Sequence, residues 1–381
     1  MPVAPEILNW AVERSGREPE ALERRFPKLH AWLRAESAPT LKQLQQFAEA
    51  TYTPFGSFFL PAPPAEPLPI PDFRSGQPAR LRQPSGNLLD TIYLCQTRQT
   101  WFQEFAREEG IAPIALIGSL TAEMPVENAA RSIRDAIHFD LNRRREVRTW
   151  AEALSLFIHG SEETGILVMV SGVVGNNTHR KLDPAEFRGF ALADPAAPLI
   201  FINGADSKSG QMFTLAHELA HLALGESALS NAEASTFPDQ RTERWCDQVA
   251  AEILVPMADF RRELNAVEPL NEATARLARV FKVSTLVILR RLFEAGAIRN
   301  RETFWQAWRA ESDRLQEIVP AAATGGDFYR TLGARVSRRF EYALVSSALA
   351  GRTSFTEAFR LLGCKRIATF DNLAQRLGFT A

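Results

Sequence analysis

The chain has 381 residues, with Lys plus Arg at 44, Asp plus Glu at 45 and a net charge of -1. That length holds two or three domains, each able to bury its own core, and the balanced charge sets up no field that would demand a nucleic-acid or anionic-membrane partner. Cys95, Cys246 and Cys364 are odd in number, far apart and form no CxxC, which argues against a disulfide framework and a Cys-type zinc site and for a reducing compartment. The opening MPVAPEILNW lacks the basic and apolar regions of a signal peptide, and no apolar run approaches the roughly 18–20 residues of a membrane span. A cytoplasmic, non-membrane protein is expected.

Residues 1–60 read as short helices. Pro5 opens the first, which runs to about Arg14; others follow near Pro19–Phe26, Lys28–Ala35 and Pro39–Ala50. Seven prolines between 61 and 78 mark an extended, semi-rigid linker. Residues 87–109 then form a long amphipathic helix, with Leu88, Leu89, Ile92, Leu94, Trp101, Phe102 and Phe105 supplying most of its apolar surface. Helical patterns follow near 126–138 and 145–159. The texture changes at 165–175, 186–194 and 197–204, where short apolar runs broken by Gly, Asn, Asp and Pro predict a small sheet. Two helices come next, at about 208–224 and 240–254, the second stopped by Pro256. Everything beyond reads as helical, with Thr324-Gly325-Gly326 as a joint.

The first of those two helices carries His217-Glu218-Leu-Ala-His221, an HExxH motif. Residues four apart share a helical face, so both imidazoles can reach one ion. Glu218 sits about 100° round the helix, by the period of about 3.6 residues, and so stands beside the metal rather than on it. A carboxylate there can deprotonate a water whose pKa zinc has lowered to about 7, then pass the proton to a leaving amine. The motif alone also fits an amphipathic helix with half-buried histidines. Against that reading stand the apolar helix FTLAHELAHLAL, a preceding β-type run able to hold an extended peptide, and a suitable third ligand downstream.

Catalytic zinc takes three protein ligands and leaves one position for water. Glu243 and Asp247 follow His221 by 22 and 26 residues and share a helical face. In gluzincins a Glu on a following helix is the third ligand and an Asp four residues later holds a ligand histidine. Glu243 as ligand and Asp247 as orienter match that order, although Asp247 reads equally as a plain helix carboxylate. Glu233, in a loop, and Glu252, about half a turn away from Glu243 on the far face, are the competitors. A metzincin pattern fails, because Gly225 comes one residue late and Ser227 takes the third His position. His30, His138 and His159 read as capping or packing residues. His179, in the loop GNNTHRK, is either an oxyanion donor or a surface-loop histidine.

HELAHLALG followed by ERWCDQVAAEILVP resembles the ImmA/IrrE family of metallopeptidases. Glu243, Ala250, Ala251, Leu254 and Pro256 match the family's second helix, whereas Cys246, Asp247 and Val249 replace its Ala, Asn and Phe. The resemblance covers about residues 150–300 and maps the family's ligand Glu onto Glu243. It implies a site-specific, regulatory zinc endopeptidase acting on a repressor, an antitoxin or another protein partner, in stress, mobile-element or phage-defence settings. N/O ligands also accept other divalent ions.

Two segments bear on DNA. Leu22, Trp32, Pro39 and Thr40 resemble landmarks of the XRE-type helix-turn-helix, but the stretch between Leu22 and Trp32 is about four residues short, and residues 1–60 hold seven basic and seven acidic side chains. LARVFKVS (277–284) followed by an apolar helix also resembles a helix-turn-helix, with Arg276, Arg279, Lys282, Arg290 and Arg291 adding positive charge; a helical hairpin packed on the peptidase fits as well.

The fold expected is α+β and predominantly helical, a minimal zincin-like core of small β-sheet plus HExxH helix with flanking helical modules. Its parts are a helical XRE-like module (1–60), a Pro-rich linker (61–80), the peptidase domain (81–256), a helix-turn-helix-like segment (257–300) and a C-terminal helical module (301–381). The alternative is a non-catalytic regulator or antitoxin-like binding protein with a structural or idle metal site.

Overall fold

The computed structural model describes residues 3–72, 84–139, 141–230, 241–265, 267–317 and 328–379. Part of the proline-rich stretch, Glu233 and the joint at Thr324-Gly325-Gly326 lie outside them. The described residues divide into two compact units: one runs to Pro69 and includes 84–93, the other takes 70–72 and everything from Leu94. The finer five-part division drawn above remains a proposal.

The first unit is helical. Pro5–Ser15 (α1) and Pro19–Arg25 (α2) each open with Pro in the first turn, where its missing N–H costs nothing. Leu29–Leu33 (α3) is a single short turn. Leu41–Thr51 (α4) starts at a reciprocal cap between Thr40 and Gln43. Phe26, Trp32, Phe47 and Phe58 pack ring on ring, with adjacent centroids 5.4–6.2 Å apart.

Gly86–Glu108 (α5) belongs to the first unit up to Tyr93 and to the second from Leu94. Val126–Ala136 (α6), Leu141–Glu146 (α7) and Trp150–Glu163 (α8) follow. The single helix expected over 145–159 is divided, because Thr149 caps α8 reciprocally with Glu152 and breaks the chain before it.

The sheet has the order β1-β3-β2-β4, from Leu167–Ser171 (β1), Gly189–Leu192 (β2), Leu199–Asn203 (β3) and Ala228–Ser230 (β4). β1 runs parallel to β3; β2 is antiparallel to β3 and β4. Alternation splits the side chains between two faces. Met169 on one face meets Arg98 of α5, and Gln99 of α5 donates to the carbonyls of Leu192 and Ala197 at 3.0 and 2.8 Å. On the other face Val168, Ala191, Ile200 and Ile202 join the large core built around Lys208–Leu224 (α9).

Every residue of α9 from Gln211 to Ala223 is buried, as an all-round apolar helix must be. Ser207 caps its start and Gly225, at φ 76°, closes its end. Gly118 and Leu120 then donate to the terminal carbonyls of Leu222 and Ala223 at 3.1 and 2.9 Å. Gly189 lets this helix approach the sheet: a Cβ there would lie 2.4 Å from Thr214 Cγ2 and 2.8 Å from Phe201 O.

Arg241–Leu254 (α10) packs along α9 and against α6. Met257–Arg262 (α11), Leu270–Phe281 (α12), Thr285–Glu294 (α13) and Arg301–Glu317 (α14) extend the same core through Phe260, Phe281, Ile288 and Phe304. Phe328–Val336 (α15), Arg338–Leu349 (α16), Phe355–Leu362 (α17) and Ile367–Arg376 (α18) form the C-terminal group, of which α15 and α16 pack on β1.

Of the five basic side chains on the α12–α13 pair, Arg290 and Arg291 are buried and Arg279 is exposed. Arg290 and Arg291 are 6% and 5% exposed. Arg291 pairs with Glu252 and Glu294, each at 2.7 Å, and Arg276 pairs with Glu268 at 2.8 Å. α12 and α13 pack on each other and on the large core.

Candidate metal centre

His217 and His221 project from the middle of α9, one turn apart, and Glu243 projects from the first turn of α10. Their donor atoms converge. The two Nε2 atoms are 3.0 Å apart; Glu243 Oε2 is 3.4 Å from that of His217, and Oε1 is 3.0 Å from that of His221. Among the described residues this is the group of His, Cys and acidic side chains with metal-ligand spacing, and all three are buried. Two imidazole nitrogens and a carboxylate facing one point match the N/N/O donor set of a divalent cation, zinc included.

The outer partners are equally placed. Asp247, one turn after Glu243, puts Oδ1 3.0 Å from His217 Nδ1, so the ring's other nitrogen is left to face the cluster. Behind Asp247, its Oδ2 lies 3.8 Å from Nη1 of Arg290 on α13. Arg290 thus stands behind Asp247, from a segment whose sequence fits a helix-turn-helix and a packed helical hairpin equally. The signal that could have identified it is its setting in Ile288-Leu289-Arg290-Arg291-Leu292, where a helix carries arginines through apolar surface. Glu252, the competing ligand, faces away as the helical period requires, held by Arg291 and by the Met257 N–H at 3.1 Å.

Glu218 is fully buried beside the cluster. Burial pushes its carboxyl up to about 8, Glu243 adds to this, and His217 and the Ser230 hydroxyl of β4 act against it. Glu243 is held down at about 2: burial opposes its charge, but hydrogen bonds from His217 and His221 outweigh it. His217 is raised well above the usual imidazole range, because Asp247 and Glu243 overcome the burial that disfavours its charge. His221 is lowered by burial. His179 is exposed in the loop after β1, its own backbone N–H 3.1 Å from Asn177 Oδ1; no contact among the described residues joins it to the cluster.

An HExxH helix, a Glu from the next helix and a small mixed sheet define a zincin-like α+β core. Residues 161–293 match the family model described as an IrrE N-terminal-like domain. Over 177 residues the chain is 29% identical to the radiation response metalloprotease IrrE of Deinococcus radiodurans, covering 45% of this chain and 51% of that one. Both findings are similarities, over part of the chain, to metallopeptidases of the ImmA/IrrE kind. The chain spans about half the length of that curated relative. Residues 336–376 match a second family model, described as a domain of unknown function (DUF8813). Among the described residues no helix is long and apolar enough to cross a membrane.

Proposed function

We propose that the chain is a zinc-dependent, site-specific endopeptidase with a regulatory role, His217, His221 and Glu243 being the metal ligands and Glu218 the general base. The observation that carries this reading is the convergence of three buried donor side chains on one point with an isolated buried carboxylate beside them. A divalent ion held there supplies a Lewis acid, polarising a peptide carbonyl and making water acidic enough to ionise near neutrality. The chain's own residues do the rest. Asp247 fixes the His217 ring through Nδ1. Glu218, poised by its apolar surroundings, accepts the proton of the attacking water and delivers it to the leaving nitrogen. No contact carries the oxyanion role for His179, which is left to a His179→Ala comparison.

The substrate in this reading is a protein, of the repressor or antitoxin kind, in a stress, mobile-element or phage-defence setting. The stress setting is supported by the name of the D. radiodurans relative, a radiation response metalloprotease. A basic, DNA-facing surface on residues 276–299 would favour a non-catalytic regulator, but Arg290 and Arg291 are turned inward.

Elemental analysis of purified protein tests the proposal. Zinc near one per chain is expected in wild type and in Glu218→Gln, and none in His217→Ala or Glu243→Ala; a protein substrate should be cleaved by wild type and only captured by Glu218→Gln. Full metal retention in Glu243→Ala would show the ligand set to be wrong, and cleavage by Glu218→Gln at the wild-type rate would remove the base.

A further inference from the structure

A cavity of about 920 Å³ lies in the second unit, lined by none of the metal-cluster residues, between one face of α8, the β1 edge of the sheet and helices α15, α16 and α18. β1 and β4 are opposite edges of the sheet, and it is β4 that supplies Ser230 beside Glu218. Three strand spacings, roughly 14 Å, separate those edges. The volume is that of an ordinary small-molecule site.

Its floor combines apolar and acidic groups. Val168 and Val170 of β1 and Leu373 of α18 give the apolar surface. Glu341 of α16 and Glu162 of α8 are the acids. Glu162 is served by the chain itself: its Oε1 accepts from the Ser337 hydroxyl at 2.5 Å and from the Arg338 N–H at 2.9 Å. Glu341 is not. It is 4% exposed, and its Oε1 is buried with no hydrogen-bond partner among the described residues. A buried carboxylate lacking a donor is costly to fold around and stands as a request for one. Gly333 of α15 keeps the space open, since a Cβ there would approach Glu341 Oε2 to 3.2 Å. Arg338 and Arg376 are exposed residues at the cavity lining, with the exposed Glu152 across from them on α8, so the rim carries more cationic than acidic groups while the floor is acidic. A bare cation would be repelled on the way in, and a bare anion would be repelled at the floor.

A zwitterion with an apolar body satisfies all three features. We propose that this cavity binds an apolar amino acid or short peptide through its free amino end, with the ammonium against Glu341, the apolar side chain on Val168, Val170 and Leu373, and the carboxylate toward Arg338 and Arg376. The site stands apart from the peptidase reading and holds whether or not that reading does.

Isothermal titration calorimetry on the full chain tests it, in a Glu218→Gln background so that no peptide is hydrolysed. The probes are L-leucine, leucyl-leucine and N-acetyl-leucine, the last lacking the cation. Saturable binding with a millimolar or tighter Kd is expected for one or both free amines, and the stronger of the two distinguishes amino acid from peptide end. N-acetyl-leucine should bind at least tenfold more weakly. Glu341→Gln should weaken the free amine at least tenfold, and Ser155→Trp, at an exposed α8 position of the lining, should abolish binding without touching the core. Absence of binding by both free amines overturns the proposal. So does equal binding of N-acetyl-leucine, or indifference to Glu341→Gln. Binding that survives Ser155→Trp would place the probe elsewhere, the catalytic cleft included, and overturns it too.

Discussion

Asp247 sits between two partners of different kinds, His217 Nδ1 at 3.0 Å and Arg290 Nη1 at 3.8 Å, and side-chain exposure on this line is 0% for His217, 3% for Asp247 and 7% for Arg290. A carboxylate in that position raises the basicity of the ring it faces and fixes its tautomer, and the guanidinium stands behind it. Asp247→Ala is therefore expected to weaken zinc binding by about 10- to 100-fold. Arg290→Met acts one contact further out and should cost up to about tenfold. Chelator-competition titration reads both, independently of turnover. Equal zinc affinity in wild type and Asp247→Ala would reduce Asp247 to an ordinary helix carboxylate.

At the scale of elements, α13 is held to the zincin-like core by a buried pair, Arg291 with Glu252 at 2.7 Å, and Glu252 also accepts the Met257 N–H at the start of α11. Breaking a buried pair from one side leaves an uncompensated charge and costs about 3–5 kcal/mol, whereas replacing both partners by apolar groups can be near neutral. Arg291→Met should lower the urea midpoint sharply, and Arg291→Met with Glu252→Met should restore most of it. A single variant as stable as wild type would show that the pair does not hold the hairpin. The same pair shows where legibility stopped. The HExxH helix, the order of Glu243 and Asp247 and the three longer strands were readable because 3.6-fold and two-fold periodicities are local properties of the chain. Thr149 with Glu152 also spelled out a helix start that dissolves the helix expected over 145–159. β4, three residues long, carries no periodic signal. The direction in which Arg290 and Arg291 point depends on which face of α13 meets α10, a tertiary fact that composition reads as a charged surface.

For the molecule as a whole, the buried acids set how stability follows pH. Glu341 is pushed up to about 7, first by burial and further by Glu162; Arg338 and Arg376 pull the other way. Glu162 and Glu252 are raised as well, again by burial first. A carboxyl whose folded pKa exceeds its unfolded value of about 4.3 holds more protons in the folded state between the two. Its contribution is complete below about pH 4 and is lost as pH rises through about 7. Stability should thus fall across that window, against the usual rise produced by ion-paired carboxylates such as Glu268 and Glu311, whose pKa values their arginines hold down. Replacing Glu341 by Gln keeps the shape and removes the ionisation. Relative to wild type, Glu341→Gln should gain on the order of 2 kcal/mol at pH 8, a figure that allows for water reaching the cavity, and little at pH 4. The transition of the second unit, followed by urea unfolding at both pH values, measures the difference. An equal effect of the substitution at pH 4 and pH 8 would mean that Glu341 is already ionised in the folded protein at the lower pH, so that the charge at the cavity floor is satisfied from within the chain.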